Sequence, residues 1–347
     1  MNETNLMSKM KISKAVATMA IPSVISSLVT VVYNMADTFF VGQTGDPLQV
    51  AAVSLTNPIF ILFMAFANMF GMGGSATASI AMGEKNEKRM KNVSAFITYA
   101  SLITGIFFAV ILLLGAKPIL QIFGADKQTY DLAYGYLFHI SYGAPFVIWS
   151  AAASFVVRAE GASKEAMIGS MIGTIVNIIL DPIMINGLHM GAAGAAIATT
   201  IGNILASLYY AWYFIKKSKC FSIHPGYFKY KDKILTTVCS SGFPTAIFSV
   251  LMSVSTIVLN QILVVYGNAP VAAIGIVFKA NMFITFLQMG LANEVLLIPL
   301  LYLLNAVARI HGVIYGQALT DYIAVILSTI IWKQYQNSIT KEKDSVK

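Results

Sequence analysis

Charged residues are scarce in this chain. They make up 11% of 347 residues, against about 25% in an average soluble domain. Hydrophobic residues reach 57%, and several apolar runs attain about 20 residues, the length that a helix needs to cross a bilayer. The strand-type alternation of a membrane barrel is missing. The composition therefore excludes a soluble domain and predicts an all-α, polytopic membrane protein.

Cysteine is rare as well, with Cys220 in a basic stretch and Cys239 near the start of an apolar run, so no disulfide framework is expected. The motifs HExxH and GxSxG, a P-loop and a metal-type Cys/His cluster are all lacking, so the sequence predicts neither an enzyme nor a cofactor. The formal net charge of +8 comes from lysines between apolar runs. This placement points to membrane topology rather than to nucleic-acid binding.

The apolar runs and the charge pattern together predict about ten membrane spans. The N-terminus and the loops near 84–91, 158–164 and 216–233 hold most of the Lys and Arg residues. By the positive-inside rule these parts are expected in the cytoplasm of a cell with the protein in its plasma membrane, and the basic tail requires an even span number. The expected spans are 15–42, 50–82, 93–116, 130–157, 166–186, 191–215, 234–266, 270–292, 295–308 and 312–332.

Two aspartates interrupt these runs, Asp37 in TVVYNMADTFFVG and Asp181 in GTIVNIILDPIMING. Each lies about one and a half helical turns before the glycine end of its run, so both are expected at a similar depth. A carboxylate in the hydrocarbon layer costs about 2.5 to 3.5 kcal/mol even on lenient scales. A bound cation, a proton or a packing partner must compensate for this cost, and a cation site in a transporter is the first hypothesis.

An internal repeat divides the chain into two halves. MAIPSVISSLVTVV aligns with SGFPTAIFSVLMSV, which places Pro22 over Pro244, and VAAVSLTNPIF from Val50 aligns with VAAIGIVFKANMF. The end of the second half breaks the pattern, because about one hundred residues are missing around Asn293 and Glu294. We expect parallel repeats with an incomplete second half; the alternative is nine spans, with residues 270–308 as one kinked segment.

A set of motifs in chain order resembles one transporter family. They are ADTFFVG (36–42), GEKNEKRMKN (83–92), VVRAEG (156–161), NIILDP (177–182) and GAAGAAIAT (191–199). Together they are similar to the bacterial branch of the multidrug and toxic compound extrusion (MATE) family. The resemblance covers the first half throughout and the second half in part.

This resemblance implies two helical lobes around a central cavity, with about ten spans here instead of twelve. The implied activity is export of drugs and other amphipathic organic cations, coupled to Na⁺ or H⁺ and carried out by alternating access. The expected division is a first lobe (1–218), a cytoplasmic basic linker (219–233), an incomplete second lobe (234–333) and a cytoplasmic tail (334–347). A monomer among membrane lipids is expected.

The resemblance also assigns the coupling-cation site to Asp37, Asn177, Asp181 and Thr199. The residues themselves support this choice, because Asn177 and Asp181 are four apart on one helix face and Thr199 is expected at the depth of Asn177. Carboxylate, amide and hydroxyl oxygens suit a hard cation. The candidate cavity residues are Tyr33, Asn34, Asn57 and Lys279.

Several alternatives stay open. The aspartates could be bonded by neighbouring hydroxyls and simply lock the first lobe, and Lys279 could snorkel to the interface. Arg158 and Glu160 are expected as an ion pair or a gate contact. For the whole chain, the alternatives are an inactive or impaired remnant of a transporter and a flippase for lipid-linked substrates of the same superfamily.

Overall fold

The computed structural model describes residues 22, 25–26, 29, 32–33, 36–37, 39–228 and 233–278. The chain divides into two compact units, 1–280 and 281–347, and every described residue lies in the first. The expected ninth and tenth spans, the tail and the junction at 293–294 therefore fall outside the described residues. The span number of about ten and the domain division stay predictions.

The described residues form helices joined by short turns and contain no strand. The first helix, α1, comprises the described helical positions from 22 to 42. The others are α2 (Pro47–Gly83), α3 (Glu87–Leu114), α4 (Ala116–Ile122), α5 (Tyr130–Ala159), α6 (Ser163–Asp181) with a π-helical turn (Pro182–Gly187), α7 (Gly191–Lys216), a 3₁₀ turn (Pro225–Tyr227), α8 (Ile234–Val264) and α9 (Asn268–Phe278).

Six of these helices are long and apolar enough to cross a membrane, within the part of the chain that is described: α2, α3, α5, α6 with its π turn, α7 and α8. This confirms an all-α, multi-pass membrane protein. Two of the starts are set by side chains. Asp46 accepts a hydrogen bond from the N–H of Leu48 at 2.9 Å, and Asn86 accepts one from Arg89 at 3.0 Å, which is ordinary N-capping.

The helices bury a core of apolar, small and polar side chains and also leave many large apolar side chains exposed. Phe63 of α2, Ile97 of α3 and Ile148 of α5 are fully or almost fully buried in the core. Large apolar side chains such as Phe107 of α3 and Ile179 of α6 are more than half exposed. In a membrane protein such surfaces face lipid, and the backbone polar groups are satisfied within the helices.

Helices α2 and α8 cross at backbone contact. A Cβ atom added to Gly73 would lie 1.9 Å from the carbonyl oxygen of Val238, and one added to Gly242 would lie 2.1 Å from that of Met69. Neither position has room for a side chain. The two glycines therefore allow the close approach that small residues provide between membrane helices.

The end of the bundle that carries Lys85, Arg89, Lys164 and Lys217, here called the basic end, also holds the chain segment after α7. Ser94 of α3 both donates to the carbonyl oxygen and accepts from the N–H of Ser222, each at 2.9 Å. The expected linker thus lies against α3 up to residue 228.

Glu160, at the end of α5, fixes the start of the same segment. Its carboxylate accepts hydrogen bonds from the hydroxyls of Tyr213 and Ser218, each at 2.8 Å, and from the N–H groups of residues 219 and 220. The guanidinium of Arg158 lies 5.9 Å from the ring centroid of Phe155. The expected Arg158–Glu160 ion pair is wrong for the described region, where Glu84–Arg89 and Glu165–Lys217 are the pairs formed, because the loop after α7 takes up the Glu160 oxygens.

Candidate functional site

The last turn of α6 presents two polar side chains to the protein interior. Asn177 is 2% exposed and Asp181 is 0% exposed, and their spacing of four places them on one face. Pro182 follows Asp181 and opens the π-helical turn. Since proline has no N–H, the regular helical hydrogen bonding ends here, and π turns of this kind often accompany functional sites.

Asn177 connects Asp181 with Thr199 of α7. With its amide oriented to satisfy both ends, Nδ2 donates to Asp181 Oδ2 at 3.0 Å, while Oδ1 accepts from the N–H of Thr199 at 2.9 Å and from its hydroxyl at 3.2 Å. Thr199 is 4% exposed. Carboxylate, amide and hydroxyl are thus joined in one buried chain of hydrogen bonds.

Helix α1 brings Asp37 and Tyr33 to the same place. The hydroxyl of Tyr33 lies 3.4 Å from Thr199 Oγ1. Asp37 is 9% exposed, and both Asp37 and Asp181 are near enough to Tyr33 and to Tyr136 of α5 to interact with them electrostatically. The two carboxylates therefore share one polar environment, away from the lipid-facing surface.

A chamber opens beside this cluster, with about 60 Å³ of space for small groups. This volume holds a few water molecules or a small cation, and it is far below the few hundred Å³ of a drug-sized pocket. Helices α1, α2, α5, α7, α8 and α9 contribute the described lining residues. They are Tyr33, Asp37, Val53, Ser54, Asn57, Phe60, Tyr136, Thr199, Thr256, Asn260, Ile274, Gly275 and Phe278.

The structure brings all four expected cation-site residues together. Of the expected cavity residues, Tyr33 and Asn57 line the chamber, whereas Asn34 and Lys279 lie outside the described residues.

Tyr136, Thr256 and Asn260 also line the chamber but were not predicted from the sequence. Thr256 and Asn260 are polar residues four apart in the apolar run of α8, and this spacing could have indicated them. Tyr136 lies among several aromatic residues of α5, and nothing in the sequence distinguishes it from them.

Comparison with known proteins agrees with this architecture. The MatE family model matches residues 22–183. The multidrug export protein MepA of Staphylococcus saprophyticus is 32% identical over 323 residues, which are 93% of this chain and 72% of the relative. The chain belongs to the MATE family. MATE proteins are transporters and not enzymes, and they need no cofactor.

Two further MATE proteins illustrate the extent of the likeness. MepA of Staphylococcus haemolyticus is 36% identical over 84% of this chain and 64% of its own length. The solved structure of the MATE multidrug transporter DinF-BH superposes with a TM-score of 0.77 at 28% identity, over 91% of this chain and 70% of that one. The chain thus spans 64% to 72% of the length of these three MATE relatives.

Proposed function

We propose that the chain exports amphipathic organic cations and other drugs in exchange for Na⁺ or H⁺, as its relatives named multidrug export proteins suggest. The observation that carries this proposal is the buried meeting of Asp37 and Asp181 with Asn177, Thr199 and Tyr33, next to a chamber that Asp37 lines.

The energetic reason is the cost of two carboxylates in a region that excludes water. Burial of a charge is unfavourable unless the charge is paired or binds a cation. The side chains around Asp181 include neutral donors, which stabilise a carboxylate in part, and the oxygens of Asp37, Asp181, Asn177 and Thr199 offer hard ligands. A small cation or a proton completes this set.

Transport then follows by alternating access. Since the chamber of about 60 Å³ holds an ion but no drug, helices from the two proposed lobes must separate before a drug can enter. A cation that binds Asp37 and Asp181 more tightly in one conformation shifts the population toward that conformation. In the proposed cycle the favoured conformation is the one that releases the drug outside.

The proposal includes the cellular arrangement. The Lys and Arg residues of the basic end favour its location in the cytoplasm, together with the N-terminus, in a plasma membrane. We propose a monomer, since each lobe of the chain contributes lining to one chamber.

Ethidium efflux from cells that express the chain tests this function. Asp37→Asn and Asp181→Asn are each expected to abolish efflux, whereas Asp126→Asn, which changes a carboxylate in the turn after α4, is expected to leave it intact. Efflux by an Asp181→Asn protein at the parent rate would refute the cation-site assignment.

The second candidate, an inactive remnant, is favoured by the shorter length relative to the MATE proteins. A full-length relative expressed in parallel decides between the two. If the relative exports ethidium and this chain does not, although it is well expressed and inserted in the membrane, the chain is an inactive remnant.

A further inference from the structure

Helix α2 contains a proline in its interior, Pro58. Because proline carries no N–H, the carbonyl oxygen of Ser54, four residues earlier, lacks the regular helical donor from position 58. A carbonyl of this kind needs another partner when it is buried. The proline break lies where α2 lines the chamber, since Ser54 and Asn57 are both lining residues.

The missing donor comes from α8. Asn260 Nδ2 donates to the carbonyl oxygen of Ser54 at 3.4 Å, and the Ser253 hydroxyl donates to the carbonyl oxygen of Pro58 at 2.9 Å. Asn260 and Ser253 are each 1% exposed. Their separation of seven residues puts them on the same face of α8. Two buried side chains of α8 thus bind the two carbonyls on either side of the break.

We infer that Ser253 and Asn260 are positioning residues that hold α8 against the proline break of α2 and so keep the chamber closed. Thr256 lies between them on the same face of α8, and both Thr256 and Asn260 line the chamber. Movement of α8 away from α2 opens the chamber and breaks both hydrogen bonds. This inference deepens the proposed function, because it names the contact that must break in alternating access.

The two hydrogen bonds form only in the closed conformation. When α8 moves away, water reaches the Ser54 and Pro58 carbonyls and replaces the lost donors. Each bond therefore stabilises the closed conformation by the net free energy of a protein hydrogen bond over one to water. One net hydrogen bond corresponds to about a fivefold change in the population of the open conformation. Pro58→Ala gives the Ser54 carbonyl a donor from its own helix. In that background Asn260 is expected to matter much less.

The test uses a cysteine placed in the chamber. The full chain with Cys220→Ser, Cys239→Ser and Thr256→Cys is reconstituted in nanodiscs, and the rate of modification by a membrane-impermeant methanethiosulfonate reagent is measured. Asn260→Leu is expected to raise this rate about fivefold. In the Pro58→Ala background, the same substitution is expected to change the rate less than twofold.

Ser253→Ala supplies an independent arm and has a matched control. Ser253→Ala is expected to raise the labelling rate, whereas Ser249→Ala, one turn earlier, is expected to leave it unchanged, because the Ser249 hydroxyl binds the Thr245 carbonyl of its own helix. If an Asn260 variant does not fold, the comparison of Ser253→Ala with Ser249→Ala tests the inference instead.

The inference is overturned if neither Asn260→Leu nor Ser253→Ala accelerates labelling. It is also overturned if Asn260→Leu accelerates labelling equally with and without Pro58. Labelling reports opening without any ion or drug being transported, so loss of ethidium efflux in the parent chain leaves this result interpretable, and the two proposals can fail separately.

Discussion

Replacement of Asn177 by leucine removes the link between Asp181 and Thr199 with little change in side-chain size. The amide donates to Asp181 Oδ2 at 3.0 Å and accepts from Thr199. Partners that orient a metal-binding carboxylate typically contribute 10- to 100-fold to ion affinity. Asn177→Leu is therefore expected to weaken cation binding by about that factor, even though both carboxylates remain.

The consequence for stability follows from linkage. An ion present at 100 times its dissociation constant stabilises the folded protein by about 2.7 kcal/mol. A tenfold loss of affinity reduces this to roughly 1.4 kcal/mol, and a 100-fold loss reduces it to roughly 0.4 kcal/mol, at the same ion concentration. Thermal unfolding of the purified protein, measured with and without the ion that stabilises the parent, gives these increments directly.

Asn203 offers the matched control. It lies one turn after Thr199 on α7, where its amide donates to the Thr199 carbonyl at 2.9 Å and accepts from the Ser150 hydroxyl at 3.0 Å. Asn203→Leu is expected to lower the melting temperature without ion but to keep the full ion-dependent increment. If Asn177→Leu also keeps the full increment, or Asn203→Leu loses as much, the proposed role of Asn177 is refuted.

Three further predictions concern the rest of the described fold. Gly242→Ala is expected to destabilise the protein by about 1–3 kcal/mol, because the added methyl group overpacks against α2. Gly83→Ala, with nothing within 4 Å of its added Cβ, should have little effect. Chemical unfolding in detergent measures the free energy of unfolding of both variants. Glu160→Ala is expected to speed trypsin cleavage in the segment after α7, because three hydrogen bonds to that segment are lost. An unchanged cleavage rate would contradict the docking described above. Burial and the nearby Glu160 carboxylate raise the pKa of the Cys220 thiol. In a protein with Cys239 changed to serine, the rate of Cys220 alkylation should therefore rise with pH along a curve displaced to higher pH than that of a free cysteine. A midpoint at or below the ordinary cysteine pKa would count against this burial.

Six of the predicted spans match helices of the described residues, and the meeting of Asp181 with Asn177 and Thr199 was also predicted from the sequence, for identifiable physical reasons. Apolar length sets the spans, so α7 was expected at 191–215 and is found at Gly191–Lys216. The spacing of four residues fixed the common face of Asn177 and Asp181. The position of Thr199 near the start of its helix gave its depth.

Other features depend on tertiary contacts that a single sequence does not reveal. The π turn after Asp181 interrupts a stretch that was expected as one span, 166–186. The short helix α4 lies almost entirely in a segment that was expected as a connection between spans. The start of α3 at Glu87, well before the expected residue 93, is set by the Asn86 cap. The bonding of Asn260 to the carbonyl that Pro58 leaves without a donor requires the packing of α8 on α2, which becomes visible only in the fold.

Equilibrium binding of ²²Na⁺, together with proton uptake after a pH jump, tests the central claim that a mobile cation compensates the two buried carboxylates. The parent protein is expected to bind one of these ions saturably, and the Asp37→Asn/Asp181→Asn double variant is expected to lose that binding while still folding. A parent protein that takes up neither ion, or a double variant that takes up as much as the parent, would contradict the account.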